Sequence, residues 1–137
     1  MVAGLFVIVQ AIDRTGAIQQ ARNMLRDVES WTPGTAALAA SFAVTLACNV
    51  ANNLPVGLLT GTAIQGMHLA RLVRDALVIG IDLGPNLSVT GSLATLLWLV
   101  VLRREGEDIS AWAFLKVGLL VAPPALLLAS FALLLSG

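Results

Sequence analysis

Residues 35–66 contain no Asp, Glu, Lys or Arg, yet their centre reads Asn49-Val50-Ala51-Asn52-Asn53-Leu54-Pro55. An apolar run of this length points to a bilayer as solvent, since a core about 30 Å thick needs about 20 helical residues to cross. Three asparagines and a proline are costly on a lipid-facing helix, and Pro55 has no N–H for the helix ladder. The patch therefore divides the run into arms of about fourteen and about ten apolar residues, each short for a crossing and adequate for a re-entrant hairpin. Asn49, Asn52 and Asn53 then sit at the hairpin tip, inside protein. Gly57 and Gly61 in one arm, and Ala36, Ala40, Ala43 and Ala47 in the other, are small enough for two backbones to approach closely.

A second interrupted run covers 76–102. Ala76–Leu83 reads as one half-helix and Leu93–Leu102 as another, with Gly84-Pro85-Asn86-Leu87-Ser88-Val89-Thr90-Gly91-Ser92 between them. One proline suffices for a kink. Two glycines, a proline and four polar residues instead spell a discontinuous transmembrane helix.

Charged residues make up 12% of the chain, against about 25% in soluble domains. They bunch into three groups: Asp13 to Glu29, Arg71 to Asp75, and Arg103 to Asp108. Residues 1–12 are apolar but too short to span, and they lack the basic start and small-residue cleavage site of a signal peptide. Residues 14–30 read as an interfacial helix, with Ile18, Ala21, Met24 and Leu25 at helical spacing, Trp31 at headgroup level, and Thr32-Pro33-Gly34 as the closing turn. Residues 111–136 make a complete span, anchored by Trp112 and Lys116 and bent at Pro123-Pro124.

These features exclude several functions. Eight basic residues balance eight acidic ones with no basic cluster, which argues against nucleic acid as a partner. One cysteine and one histidine leave no metal-ligand set, and there is no Ser-His-Asp constellation or phosphate loop. The expectation is a protein with no catalytic residues, no metal and no cofactor.

Irregular backbone at membrane depth persists only where protein or a water-filled cavity satisfies it. Two such patches in one chain imply a polar site between them. The tip offers Asn49, Asn52 and Asn53. The broken helix offers Asn86, Ser88, Thr90, Gly91 and Ser92, and the N-terminus of its second half favours an oxyanion or a hydroxyl oxygen. Asp82, an acid beside the break, is the proton-coupling candidate; the other reading makes it a scaffold that accepts from nearby N–H groups. Asn52 and Asn53 likewise either contact a ligand or cap the turn. Cys48 reads as a small packing residue and His68 as interfacial.

The stretch Ile81-Asp82-Leu83-Gly84-Pro85-Asn86, followed by Gly91-Ser92-Leu93-Ala94-Thr95-Leu96-Leu97-Trp98-Leu99, closely resembles the C-terminal region of arsenical pump membrane proteins, the arsenite permeases of the ion-transporter superfamily. Asn49–Pro55 resembles that family's second hairpin-tip motif, and Phe6-Val7-Ile8-Val9 with Arg14-Thr15-Gly16 the preceding helix.

The resemblance implies an all-α membrane protein, part of an inverted-repeat transporter, with a re-entrant hairpin, a broken transmembrane helix and a final transmembrane helix. It implies a multi-pass protein of the inner (plasma) membrane that exports arsenite and antimonite, proton-coupled as an antiporter or driven by a cytoplasmic ATPase. The chain corresponds to the last third of such a permease. Its partners are then the bilayer, the small inorganic substrate, and the missing N-terminal repeat in cis or as a separate chain. On this reading residues 1–12 are a clipped helix and the chain alone is incomplete. Two further readings are another anion permease or sodium/proton antiporter of the superfamily, and a non-transporting remnant or assembly subunit. Trivalent arsenic favours soft thiolates, and Cys48 alone cannot form a multi-thiolate site. Asn, Ser and Thr can instead hydrogen-bond the hydroxyls of neutral arsenous acid.

Overall fold

The computed structural model describes Gly4, Val7, Ala11 and residues 14–136. These are helical, with no strand among the described residues. Helices α1 (Ala17–Glu29), α2 (Pro33–Ala51), α3 (Asn53–Ala63) and α4 (Arg71–Leu83) precede two 3₁₀ turns, Gly84–Leu87 and Val89–Gly91; α5 (Leu93–Arg104) and α6 (Ala111–Ser136) follow. The expected clipped helix over 1–12 lies outside the described residues except for Gly4, Val7 and Ala11.

Pro33 and Gly34 belong to α2 rather than to a turn before it. Pro33 opens the helix at a position where its missing N–H is not needed, and Thr32 is extended as a residue before proline prefers. The first arm is therefore 19 residues, longer than the sequence suggested, and is one of two helices among the described residues long and apolar enough to cross a membrane; α6 is the other. Pro55 does not break α3 either. It is the third residue of that helix, among the first N–H positions that have no intrahelical acceptor.

The core is a seam between α2 and α4. Thr45 Oγ1 donates to the Gly80 carbonyl and Asn49 Nδ2 to the Gly84 carbonyl, so a step of four along α2 matches a step of four along α4 and the helices run parallel. Ala36, Ala40, Val44 and Cys48 form the buried stripe of α2, facing Val73 and Leu77. Gly80 and Gly84 bring the backbones together. A Cβ on Gly80 would lie 2.5 Å from the Ser41 carbonyl oxygen, and one on Gly84 2.8 Å from Thr45 Cα. The small-residue step expected at Gly57 and Gly61 does not play this part: a Cβ at Gly61 would meet nothing within 4 Å, and one at Gly57 only Ile81 at 3.5 Å. With no polar solvent to expel, such close approach and hydrogen bonding hold helices together in lipid.

α6 runs helical through Pro123-Pro124 and adds one narrow stripe, Gly118, Ala122, Leu126 and Ser130. Only 22% of its most apolar stretch is buried. α5 contributes no fully buried residue; Leu93, Thr95, Leu99 and Leu102 are half-buried, and the rest of its apolar surface faces outward.

Candidate functional site

The site is where the two backbone breaks meet. At the first, Asn52 has φ 72° and ψ 147°, the one positive-φ residue other than glycine among the described residues. Asparagine tolerates φ > 0 because its short amide can bond locally. Here Asn52 Oδ1 accepts from the Leu54 N–H at 3.2 Å and caps α3. At the second break, Asn86 Nδ2 donates to the Leu83 carbonyl at 3.1 Å and more weakly to that of Asp82 at 3.5 Å, covering acceptors that α4 leaves open. Ser92 Oγ accepts from the Ala94 N–H at 3.1 Å and starts α5. Each break is thus built by a polar residue replacing a lost helical bond.

Asn49 joins the two. Its Nδ2 donates to the Thr45 carbonyl at 2.8 Å and to the Gly84 carbonyl at 2.7 Å. Its Oδ1 accepts from Ser88 Oγ at 2.8 Å. Its own carbonyl accepts from Thr90 Oγ1 at 3.0 Å. Ser88 and Thr90 hydroxyls lie 3.2 Å apart, and Asn52 Nδ2 reaches the Thr90 carbonyl at 3.3 Å. Asn49, Asn52, Ser88 and Thr90 therefore form one network across a sequence separation of about forty residues.

The other sequence-predicted residues sit differently. Gly91 is a packing position, since a Cβ there would lie 2.5 Å from the Pro85 carbonyl oxygen. Asn86 and Ser92 serve their own helix ends. Asn53, the first residue of α3, carries a buried Oδ1 with no hydrogen-bond partner among the described residues. That buried acceptor is still open, and a group holding a donor hydrogen would satisfy it. Asp82 is exposed on the last turn of α4, and its carboxylate accepts from none of the break's N–H groups among the described residues.

Cys48 is fully buried in the α2–α4 seam, as a packing residue would be. Groups of His, Cys, Asp and Glu able to hold a metal are absent among the described residues. Sequence reasoning passed over Thr45 and Gly118 and read Gly84 only as part of the break. Thr45 ties α2 to Gly80. Gly84 also supplies a close approach and an acceptor. Gly118 of α6 clamps the 3₁₀ turn, where a Cβ would lie 2.5 Å from the Leu87 carbonyl oxygen. The Gly80-to-Gly84 spacing was the available signal, identical in form to that of Gly57 and Gly61.

The family model described as arsenical pump membrane protein matches residues 1–136. An arsenical pump membrane protein of Escherichia coli strain K12 is 32% identical over 142 residues, covering 97% of this chain and 32% of the relative. A putative arsenical pump membrane protein of Bacillus subtilis strain 168 is 24% identical over 123 residues, covering 87% of this chain and 28% of the relative. An uncharacterized transporter of Mycobacterium tuberculosis strain H37Rv is 29% identical over 139 residues, covering 93% and 32%. The chain thus spans about a third of the length of these curated relatives. No solved structure matches. With its apolar helices and a match along nearly its whole length, the chain belongs to the arsenical pump membrane protein family.

Proposed function

We infer that this chain is part of an arsenite and antimonite efflux permease of the inner (plasma) membrane, and that the junction of its two breaks is half of the translocation site. The observation that carries this reading is the Asn49 network, which joins two irregular segments that lipid alone could not satisfy. Helices α2 and α3 act as the re-entrant hairpin and α4 with α5 as the broken transmembrane helix of one inverted repeat. A second repeat, in the same polypeptide or a separate one, supplies the other half.

Within the half-site, Asn49 is consumed in joining the breaks. Asn53 Oδ1 and the Ser88 and Thr90 hydroxyls remain the groups able to meet a ligand. Arsenous acid presents hydroxyl hydrogens to Asn53 Oδ1 and to the lone pairs of the serine and threonine oxygens, whose own hydrogens are donated to Asn49. The protein binds and moves its substrate without transforming it. Asp82 couples the movement to protons; a cytoplasmic ATPase is the alternative driver.

Everted vesicles containing the complete permease test the proposal. Arsenite accumulation that falls at least tenfold in Asn53→Ala supports it. Dicarboxylate uptake with no arsenite flux would instead assign the site to another anion permease, a reading consistent with the start of α5 at the break. No flux of either solute would leave a non-transporting membrane subunit.

A further inference from the structure

One side chain makes the polar link between α1 and α3. Arg22 Nε donates to the Ala63 carbonyl at 3.0 Å, and Nη2 to the Thr62 carbonyl at 3.3 Å. Both acceptors lie at the C-terminal end of α3, where open carbonyls and the negative end of the helix dipole favour a cation. Arg22 is half-buried, and among the described residues it has no carboxylate partner. Among the described residues its charge therefore acts on the helix end.

Leu25 and Val28 of α1 pack against the core, but the apolar contact leaves an open groove beside them. The groove, about 380 Å³, is lined by Ala21, Met24 and Leu25 of α1, Ala43 and Ala47 of α2, and Leu59 of α3. Non-directional contact beside such a groove does not set how far one helix stands along another, whereas two directional bonds from one guanidinium do. The other end of α3 is Asn53. Eleven helical residues make a rod of about 16 Å, so a shift at Ala63 is carried to the break.

We propose that Arg22 is a positioning residue that locks α1 and α3 into one body, so that the amphipathic helix α1 sets the depth of Asn52 and Asn53. The proposal concerns the hairpin's mechanics and holds whichever solute is carried. Failure of the flux assay above does not touch it.

Hydrogen–deuterium exchange of the protein in lipid nanodiscs tests it, with Arg22→Met, Arg22→Lys and Arg26→Ala. Loss of charge-assisted bonds to a helix end raises the local opening constant about tenfold. Arg22→Met is expected to speed exchange about tenfold both at 60–67 and along 17–29, with Arg22→Lys between it and the native protein. Arg26→Ala, which removes a neighbouring exposed charge from the last turn of α1, should leave 60–67 unchanged. Faster exchange at 60–67 alone would reduce Arg22 to a local cap and overturn the coupling. Unchanged exchange in Arg22→Met, or an equal effect of Arg26→Ala at 60–67, would overturn the role of the guanidinium contact. If Arg22→Met does not fold, native-like exchange at both segments in Arg22→Lys, with unchanged α1, overturns the proposal and graded exchange supports it.

Discussion

Asn49 and Gly84 are joined by a 2.7 Å hydrogen bond from the amide Nδ2 to the carbonyl that ends α4. The same amide satisfies the Thr45 carbonyl and, through Oδ1, holds Ser88. Three bonds from one side chain make it the strongest polar tie between the two breaks. Replacing it removes one bond each from the Thr45 carbonyl, the Gly84 carbonyl and the Ser88 hydroxyl. Asn49→Ala should therefore destabilise the protein by about 1–3 kcal/mol, while Thr90→Val, on an exposed residue, costs about 0.5 kcal/mol. Asn49→Asp should be worse than alanine, because a second oxygen would face two carbonyls. Thermal unfolding in detergent, followed by labelling of the buried Cys48 thiol, ranks the three. Equal midpoints for the native protein and Asn49→Ala would contradict the network.

Gly80 and Gly84 are predicted to reject any side chain. A methyl group at Gly80 would meet the Ser41 carbonyl and at Gly84 the Thr45 backbone, neither of which can rotate away. Overpacking of this kind costs about 1–3 kcal/mol. Gly61→Ala meets nothing and gains helix propensity of up to about 1 kcal/mol. The expected order of melting temperatures is Gly61→Ala at or above native, then Gly84→Ala and Gly80→Ala below it.

Asn52 stands at φ 72° and ψ 147°, a combination that glycine adopts freely and other residues adopt at a cost of about 1–3 kcal/mol. Asn52→Gly relieves that strain and loses the Leu54 and Thr90 bonds, so it should stay within about 1 kcal/mol of native. Asn52→Val keeps the strain and loses the bonds. A yield of folded protein in the order native, glycine, valine checks this. Valine as well tolerated as glycine would mean that the break is not fixed by that conformation.

Asp82→Asn in the complete permease should abolish pH-driven exchange while arsenite equilibration without a gradient persists. Asp82 lies exposed, two residues before the break, so amide replacement removes a proton carrier without unmaking a side-chain hydrogen bond among the described residues. Normal pH-driven flux in the variant would remove Asp82 from coupling.

Both breaks were legible in the sequence because their causes are local. Gly84-Pro85 and Asn52-Asn53 act on their own backbone within a few residues, and the polar residues beside them bond to neighbouring N–H and C=O groups. Helix extents were less legible. Pro33 and Pro55 look like breakers in a string of letters, yet both fall in a first helical turn, where a missing N–H costs nothing. The roles of single site residues were less legible again. Asn49, Asn52 and Asn53 are chemically alike, but one is consumed in the network, one caps a helix and one keeps a buried acceptor open.

By itself, then, the sequence determined a chain for lipid, with charge-free helices interrupted at two polar points, since those properties follow from composition and short-range sterics. Only the tertiary structure decided that the interruptions meet, that Gly80 and Gly84 rather than Gly57 and Gly61 form the close approach, and that Arg22 reaches the end of α3. Those outcomes rest on contacts between residues about forty positions apart. The same short motif serves equally well in either place until packing brings one of them against a partner.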